Sequence, residues 1–192
     1  MRNYIQQEIC IADINMNNIA IFDLDGTLVE TDAANAAAYN DALHRIGYDA
    51  IGGLYGRVSS SVVREAASLS DAELEAVVKA KVDAYCRHLW RVKLGPAANS
   101  FRCVLLNRNA FDKVVLLTDS KERRAYETLN YFRMDGFFDE IVCNGGRGDK
   151  YVNYFRNFDS NPAACVVWEN EEGQIKSAIA AGVKIENIRK VA

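Results

Sequence analysis

The sequence predicts an α/β fold, a Rossmann-like parallel sheet core interrupted after its first strand by an all-helical insertion. Three observations lead there. Four short apolar runs read as strands buried on both faces: Ile19-Ala20-Ile21-Phe22, Val114 to Leu117, Ile141-Val142-Cys143 and Cys165-Val166-Val167-Trp168. Helical periodicity separates the last three, which is the alternation of a doubly wound parallel sheet. The first two runs, however, are about 90 residues apart, and that interval reads as helices with no convincing strand.

Each element has its own signal. Tyr39, Ala42, Leu43 and Ile46 keep helical spacing, and Gly47 is a plausible stop. A shorter helix follows Ser59-Ser60-Ser61. Ser70-Asp71-Ala72-Glu73 has the form of a capping box, and Leu74, Val78, Val82, Tyr85, Leu89 and Val92 behind it form one apolar stripe. Helices after the second and fourth strands are marked by Ala125, Leu129 and Phe132, and by Ile175, Ala178 and Ile179. A weak fifth strand is expected at Ile188 to Val191. The division is then a core of residues 19–31 and 97–192, a helical insertion of residues 32–96 that is a candidate lid, and an N-terminal extension of residues 1–18.

Composition narrows the function classes. The 192 residues are 49% hydrophobic and 26% charged, the mix of a globular protein. A net charge of −3 with dispersed Lys and Arg argues against nucleic acid as a partner. No apolar run is long enough to span a bilayer, and Met1 to Asn18 lacks a secretory apolar core. Five widely spaced cysteines point to reduced thiols and a cytoplasmic location. With two histidines only, any metal would be a hard, oxygen-bound one.

Ligands of an open parallel sheet bind beyond the carboxyl ends of its strands, so the residues after each apolar run carry the functional reading. After the first come Asp23-Leu24-Asp25-Gly26-Thr27. Carboxylates at i and i+2 of an extended segment share a face, and two such charges bind a cation or raise one pKa. After the second come Thr118-Asp119-Ser120-Lys121, where Asp119 with Glu122 also reads as an ordinary helix cap. The third leads through a glycine-rich loop to Lys150. The fourth runs into Glu169-Asn170-Glu171-Glu172, acids that would also complement a helix dipole. In sequence order, strand ends offer a nucleophile, a hydroxyl donor, a cation and metal-ligand types at one sheet edge.

Phe22-Asp23-Leu24-Asp25-Gly26-Thr27-Leu28-Val29 resembles the first motif of the haloacid dehalogenase-like (HAD-like) hydrolase superfamily. Val115-Leu116-Leu117-Thr118 looks like the second, Lys150 fits the third, and Trp168-Glu169-Asn170-Glu171 through Ala180-Ala181-Gly182 is similar to the fourth. The helical insertion resembles that of the helical-cap phosphatases and phosphomutases. The resemblance spans roughly Ile19 to Gly182. It implies a magnesium-dependent hydrolase for a small phosphorylated substrate, working through an aspartyl-phosphate. Asp23 would be the nucleophile, Asp25 the acid and base, and Thr118 and Lys150 would complete the catalytic set. Gly26, Thr118, Asp119 and Lys150 would bind phosphate, and Asp23, Asp25, Asn170 and Glu169 would hold Mg2+. A phosphomutase, or a weakened phosphate-binding regulator, are the alternatives. The sequence departs from the family pattern at Asn170, where an aspartate is usual, and at Asp119, where a neutral Asn is usual. Arg57, Ser59, Ser60 and Arg64 are candidates for substrate contact from the lid. Neither substrate identity nor oligomeric state is legible.

Overall fold

A computed structural model describes residues 18–53 and 56–191; the expected N-terminal extension lies outside them, apart from Asn18. Five parallel strands form the central sheet in the order β5-β4-β1-β6-β7. These are β1 (Asn18–Phe22), β4 (Phe111–Thr118), β5 (Glu140–Cys143), β6 (Cys165–Glu169) and β7 (Ile188–Lys190). All four apolar runs are therefore strands, and the weak fifth one pairs with β6.

Period-two alternation splits the central strands between two cores. Ala20, Phe22, Val114, Leu116, Val166 and Trp168 face one side, where Phe101 and Val104 of α4 (Ala98–Leu106) and Ala125 and Leu129 of α5 (Glu122–Phe132) cover them. Phe22 stacks on Trp168 at 4.3 Å and meets Phe101 edge-on at 5.2 Å. Ile19, Ile21, Val115, Leu117, Cys165 and Val167 face the other side, against Tyr151 and Tyr154 of α6 (Lys150–Asn157) and Ala178 of α7 (Glu172–Ala180). With both faces covered, the strands must be apolar throughout, which is why they read as continuous runs.

Between β1 and β4 lie α1 (Asp32–Arg45), α2 (Ser60–Ala67) and α3 (Asp71–Tyr85), followed by a 3-10 segment over Cys86–Arg91. Ser59 caps α2 through Val62 N, and Ser70 with Glu73 forms the expected reciprocal box on α3. Tyr39, Leu43, Val58, Val63, Leu69 and Val77 make a separate apolar cluster. Two expectations are corrected. The interval is not free of strands, because β2 (Val29–Glu30) and β3 (Lys93–Leu94) pair antiparallel where the chain leaves and re-enters the core. The α3 stripe is not uniformly core either. Val77, Ala84 and Tyr85 are buried, whereas Val78 and Val82 are only half-buried and line a cavity. Among the described residues no helix is long and apolar enough to cross a membrane.

The crossing is tight. Gly95 donates its amide to the Leu28 carbonyl at 2.7 Å, and Ala97 to that of Thr27 at 3.0 Å. A Cβ on Gly95 would lie 2.4 Å from the Thr27 oxygen and 2.9 Å from Val29 N, so only glycine admits this approach. Gly95→Ala should therefore lower unfolding stability by about 3 kcal/mol, because it overpacks against backbone that cannot yield as a side chain would. Gly136→Ala, whose added Cβ meets nothing within 4 Å, is the control in the same denaturant titration, and a Gly95 variant as stable as that control would contradict the packing argument.

Candidate active site

The carboxyl ends of β1, β4 and β6 converge on Asp23. Its amide donates to the Trp168 carbonyl at 3.1 Å, which continues the β1–β6 ladder one residue past the strand. The chain then turns at once: the Leu24 carbonyl accepts from Leu28 and Val29, both at 3.0 Å. Leu24 is driven into the core while the carboxylates on either side of it stay at the sheet edge.

Asp23 is buried, and its Oδ1 accepts from Lys150 Nζ at 2.7 Å. Lys150 is 2% exposed, and its ammonium also lies 2.8 Å from Glu169 Oε2. Tyr151 donates its hydroxyl to that same Glu169 oxygen at 3.0 Å. The other Glu169 oxygen accepts the amides of Asn170 and Glu171 at 3.0 and 3.1 Å. Burial works against the Lys150 ammonium, but Asp23 and Glu169 outweigh it and hold its pKa above the ordinary lysine value. Burial pushes Asp23 up to about 7; the charge on Glu169 adds to the rise and Lys150 opposes it. Asp23 Oδ2 accepts no hydrogen bond from the described residues.

Asp25 is held differently. Its Oδ1 accepts from Thr31 Oγ1 at 2.6 Å and from Arg124 Nη2 at 2.5 Å, and its Oδ2 accepts from Ser120 Oγ at 2.5 Å. Burial alone would raise its pKa, but Arg124 and the two hydroxyls reverse the sign and keep it below the usual carboxylate range. Thr31, Ser120 and Arg124 are not among the site residues expected from the sequence. A signal exists for Ser120 alone, which follows the strand end at Thr118 and precedes the N-cap of α5.

The other expected residues are also near this edge, some with different tasks. Thr118 is buried; its Oγ1 accepts the Ser120 amide at 3.1 Å, and its own proton has no acceptor among the described residues. Gly26 has φ +78°, and its amide is spent on the Val29 carbonyl at 2.7 Å, so it offers no donor to a phosphate. What it offers is room, because a Cβ there would lie 2.3 Å from Asn170 Nδ2. Asn170 Oδ1 accepts from Thr27 Oγ1 at 3.2 Å. Asp119 neither caps α5, whose N-cap is Lys121, nor presents a donor to an anion. Its two oxygens accept from Asn144 at 2.7 Å and Gln174 at 2.9 Å. Gly26 and Asp119 are expected to bind phosphate and Glu169 to hold metal; here the Gly26 amide and the oxygens of Asp119 and Glu169 are engaged within the protein. Among the described residues no cluster of three His, Cys, Asp or Glu side chains is arranged as a metal site. Of the lid candidates, Arg57, Ser59 and Ser60 line the adjoining cavity with Asp25 and Gly26. Arg64 pairs with Asp71 at 2.7 Å instead.

The raised pKa of Asp23 has a sign that can be tested. Between its ordinary value of 3.8 and about 7 the folded protein binds this proton more tightly than the unfolded chain does. Asp23 therefore costs stability progressively as pH rises through that window, up to about 4 kcal/mol above it. In chelator-containing buffer, Asp23→Asn should gain stability relative to the parent between pH 5 and pH 8. Denaturant unfolding of both proteins at the two pH values checks it, and a constant difference would refute the raised pKa.

The chain matches the haloacid dehalogenase-like hydrolase family over residues 20–188. A phosphoglycolate phosphatase from Agrobacterium fabrum (strain C58) is 25% identical over 183 residues, which cover 90% of this chain and 75% of that protein. Among solved structures, a predicted phosphoglycolate phosphatase from Haemophilus somnus 129pt superposes with TM-score 0.72 at 19% identity, covering 88% of this chain and 84% of that one. CbbY from Rhodobacter sphaeroides, in complex with phosphate, gives TM-score 0.69 at 17% identity over 88% and 84% of the two chains. At those identities the structural likeness establishes the shared fold alone. The family match spans the central sheet from Ala20 to Ile188 together with the inserted helices, and on that ground the chain belongs to the haloacid dehalogenase-like hydrolases.

Proposed function

We propose that the protein is a magnesium-dependent phosphatase that hydrolyses a small phosphorylated metabolite through an aspartyl-phosphate on Asp23. The observation that carries this reading is the buried Asp23 carboxylate, fixed by Lys150 through one oxygen at 2.7 Å and free of hydrogen bonds on the other. A nucleophile so held is oriented and desolvated, which covalent catalysis requires. The phosphatase named among the relatives, and the phosphate held by one structural neighbour, agree with it.

In the proposed reaction an Asp23 oxygen attacks phosphorus and the ester oxygen leaves with a proton from Asp25. Water then attacks the aspartyl-phosphate as Asp25 takes its proton, which frees Asp23 and inorganic phosphate. Asp25 is held here in the ionised form that suits the second half. Donating a proton in the first half requires Asp25 first to take one, from solvent water or from the water split in the preceding turnover, and that requires Arg124 to loosen its grip. Thr118 has a hydroxyl proton free for a phosphate oxygen, and Lys150 neutralises charge beside the nucleophile. Residues 32–96 act as a cap over this chemistry, closing to limit water and opening for release.

The residues fit a hard cation. Asp23, Asp25 and Glu169 face two cations, Lys150 and Arg124, so one negative charge remains uncompensated. The Asp23 carboxylate, the Asp25 main-chain carbonyl and the Asn170 amide oxygen would hold magnesium, with water in the remaining positions. When bound, the ion would supply the positive charge that lets a phosphate approach a carboxylate.

Asp23→Asn should reduce hydrolysis to below about one-hundredth of the parent rate, since removing a nucleophile costs several kcal/mol. Higher residual activity, measured as phosphate release with magnesium present, would rule out the covalent route. Asn170→Asp should lower the half-saturating magnesium concentration about tenfold, because hard cations favour anionic oxygen. A magnesium titration of the rate at fixed ionic strength tests this, and an unchanged or higher midpoint would remove residue 170 from the ligand set.

A further inference from the structure

Beside Asp25 and Gly26 opens a cavity of about 500 Å3, and part of its wall is chemistry that the reaction above does not use. Lys81 of α3 lines it, half-buried, with no hydrogen bond or ion pair to any described residue. Its ammonium lies 4.6 Å from the centre of the Tyr39 ring, an aromatic face in place of a carboxylate. Burial, with the charge of Arg124 adding to it, lowers the Lys81 pKa to about 8, which still leaves it mostly protonated at neutral pH.

Arg124 lines the same cavity from α5. It spends Nη2 on Asp25 and on Thr31 Oγ1, and its guanidinium lies 4.8 Å from the centre of the Tyr85 ring. Its Nε–H is buried without a partner. A buried donor left unmade is unfavourable, and native structures keep few of them. Among the cavity's carboxylates, Asp25 pairs with Arg124 through Nη2 alone, and none pairs with Lys81. Glu171 pairs with Arg57, and Asp119 is taken up by Asn144 and Gln174. Asp32 is exposed in the first turn of α1.

We propose that the substrate carries a second anionic group on its leaving-group side, and that Lys81 and the Arg124 guanidinium bind it. The inference rests on the phosphatase reading, in which Asp25 faces the leaving group; a group in the cavity beyond Asp25 then belongs to the alcohol part of the ester. Arg124 is already paired with Asp25, whereas the Lys81 ammonium has no carboxylate partner and is further disfavoured by the charge of Arg124. Tyr39 covers one side of Lys81 and Tyr85 one side of Arg124, so an arriving anion displaces less water from them than from fully solvated cations. A neutral alcohol gains none of this and leaves the Lys81 ammonium unpaired, so the wall discriminates by penalty as well as by attraction. A carboxylate and a second phosphate present the same chemistry to these donors.

The test uses three esters of one two-carbon chain: 2-phosphoglycolate, ethylene glycol bisphosphate and 2-hydroxyethyl phosphate. The wild-type protein should favour at least one of the first two over the third by about tenfold or more in kcat/KM, and whichever it favours identifies the anion. Lys81→Met should reduce that ratio by about tenfold, and Lys81→Arg, which keeps the charge, should retain it. Calorimetric binding of the same compounds to Asp23→Asn, with and without Lys81→Met, reads the site without turnover. Equal kcat/KM for all three esters, or a preference that survives in Lys81→Met, overturns the second-anion site while leaving the phosphatase intact. Selective binding that Lys81→Met removes, with no ester hydrolysed, would keep the site and overturn the phosphatase. Neither binding nor hydrolysis of any of the three overturns both.

Discussion

The site depends on one lysine that serves two buried acids. Removing three charges from water is unfavourable unless each finds a partner at hydrogen-bond distance. Lys150 meets that condition by lying 2.7 Å from Asp23 and 2.8 Å from Glu169, which bridges the ends of β1 and β6 from the first residue of α6. Glu169 extends the constraint. Its second oxygen takes the amides of residues 170 and 171 and so fixes the path of the chain past Asn170. Asp149 holds the start of α6 by accepting the Tyr151 and Val152 amides, which sets the direction in which Lys150 leaves the helix. Position and electrostatics of Asp23 thus have one origin.

The inserted helices are tied to this edge as well as to one another. Tyr39, Leu43, Val58 and Val77 pack among themselves, but Ala84, Tyr85 and Val92 belong to the cluster that covers the sheet. Polar contacts follow the same seam: Arg123 pairs with Asp83 at 2.9 Å, and Cys86 donates to Glu127 at 2.6 Å. The end of α3 and the segment after it are therefore anchored on α5, while the part of α3 carrying Val78, Lys81 and Val82 lines the cavity. One helix thus has an anchored end and a stretch that meets the ligand space. A cap hinged at the paired strands β2 and β3 would move that stretch against Arg124.

The strands were legible because both sheet faces are covered, and such strands carry no polar alternation to confuse the reading. The Ser70 box was legible because capping is local. What the sequence hid was every decision made by a partner distant in the chain. The α3 stripe has helical period at Val78 and Val82, but period does not say which stretch faces a void. Asp119 before Glu122 has the form of a cap, and only the approach of Asn144 and Gln174 assigns its oxygens elsewhere. The resemblance groups Glu169 with the metal ligands; its pairing with Lys150, which joins residues 19 positions apart, comes only from the fold. Arg124 gives no local signal, because a charge on a surface helix is ordinarily solvated.

Arg124 and Asn170 act in one direction on the charge of the site. Arg124 neutralises Asp25, and an amide at residue 170 stands where a carboxylate would add another negative charge beside Asp23. With Asp at 170 and no arginine at 124, four acids would face Lys150 alone, and without a cation their mutual repulsion would fall on the fold. With Arg124 and Asn170 present, three acids face two cations, which leaves one unit of excess negative charge at this edge. The consequence for function is a trade. In the proposed reaction the amide at residue 170 would weaken the hold on a divalent ion, and Arg124 would stand beside the leaving group. A substrate whose own anion engages Arg124 would loosen it from Asp25, so that recognition of the alcohol part and release of the proton-transfer group become one event.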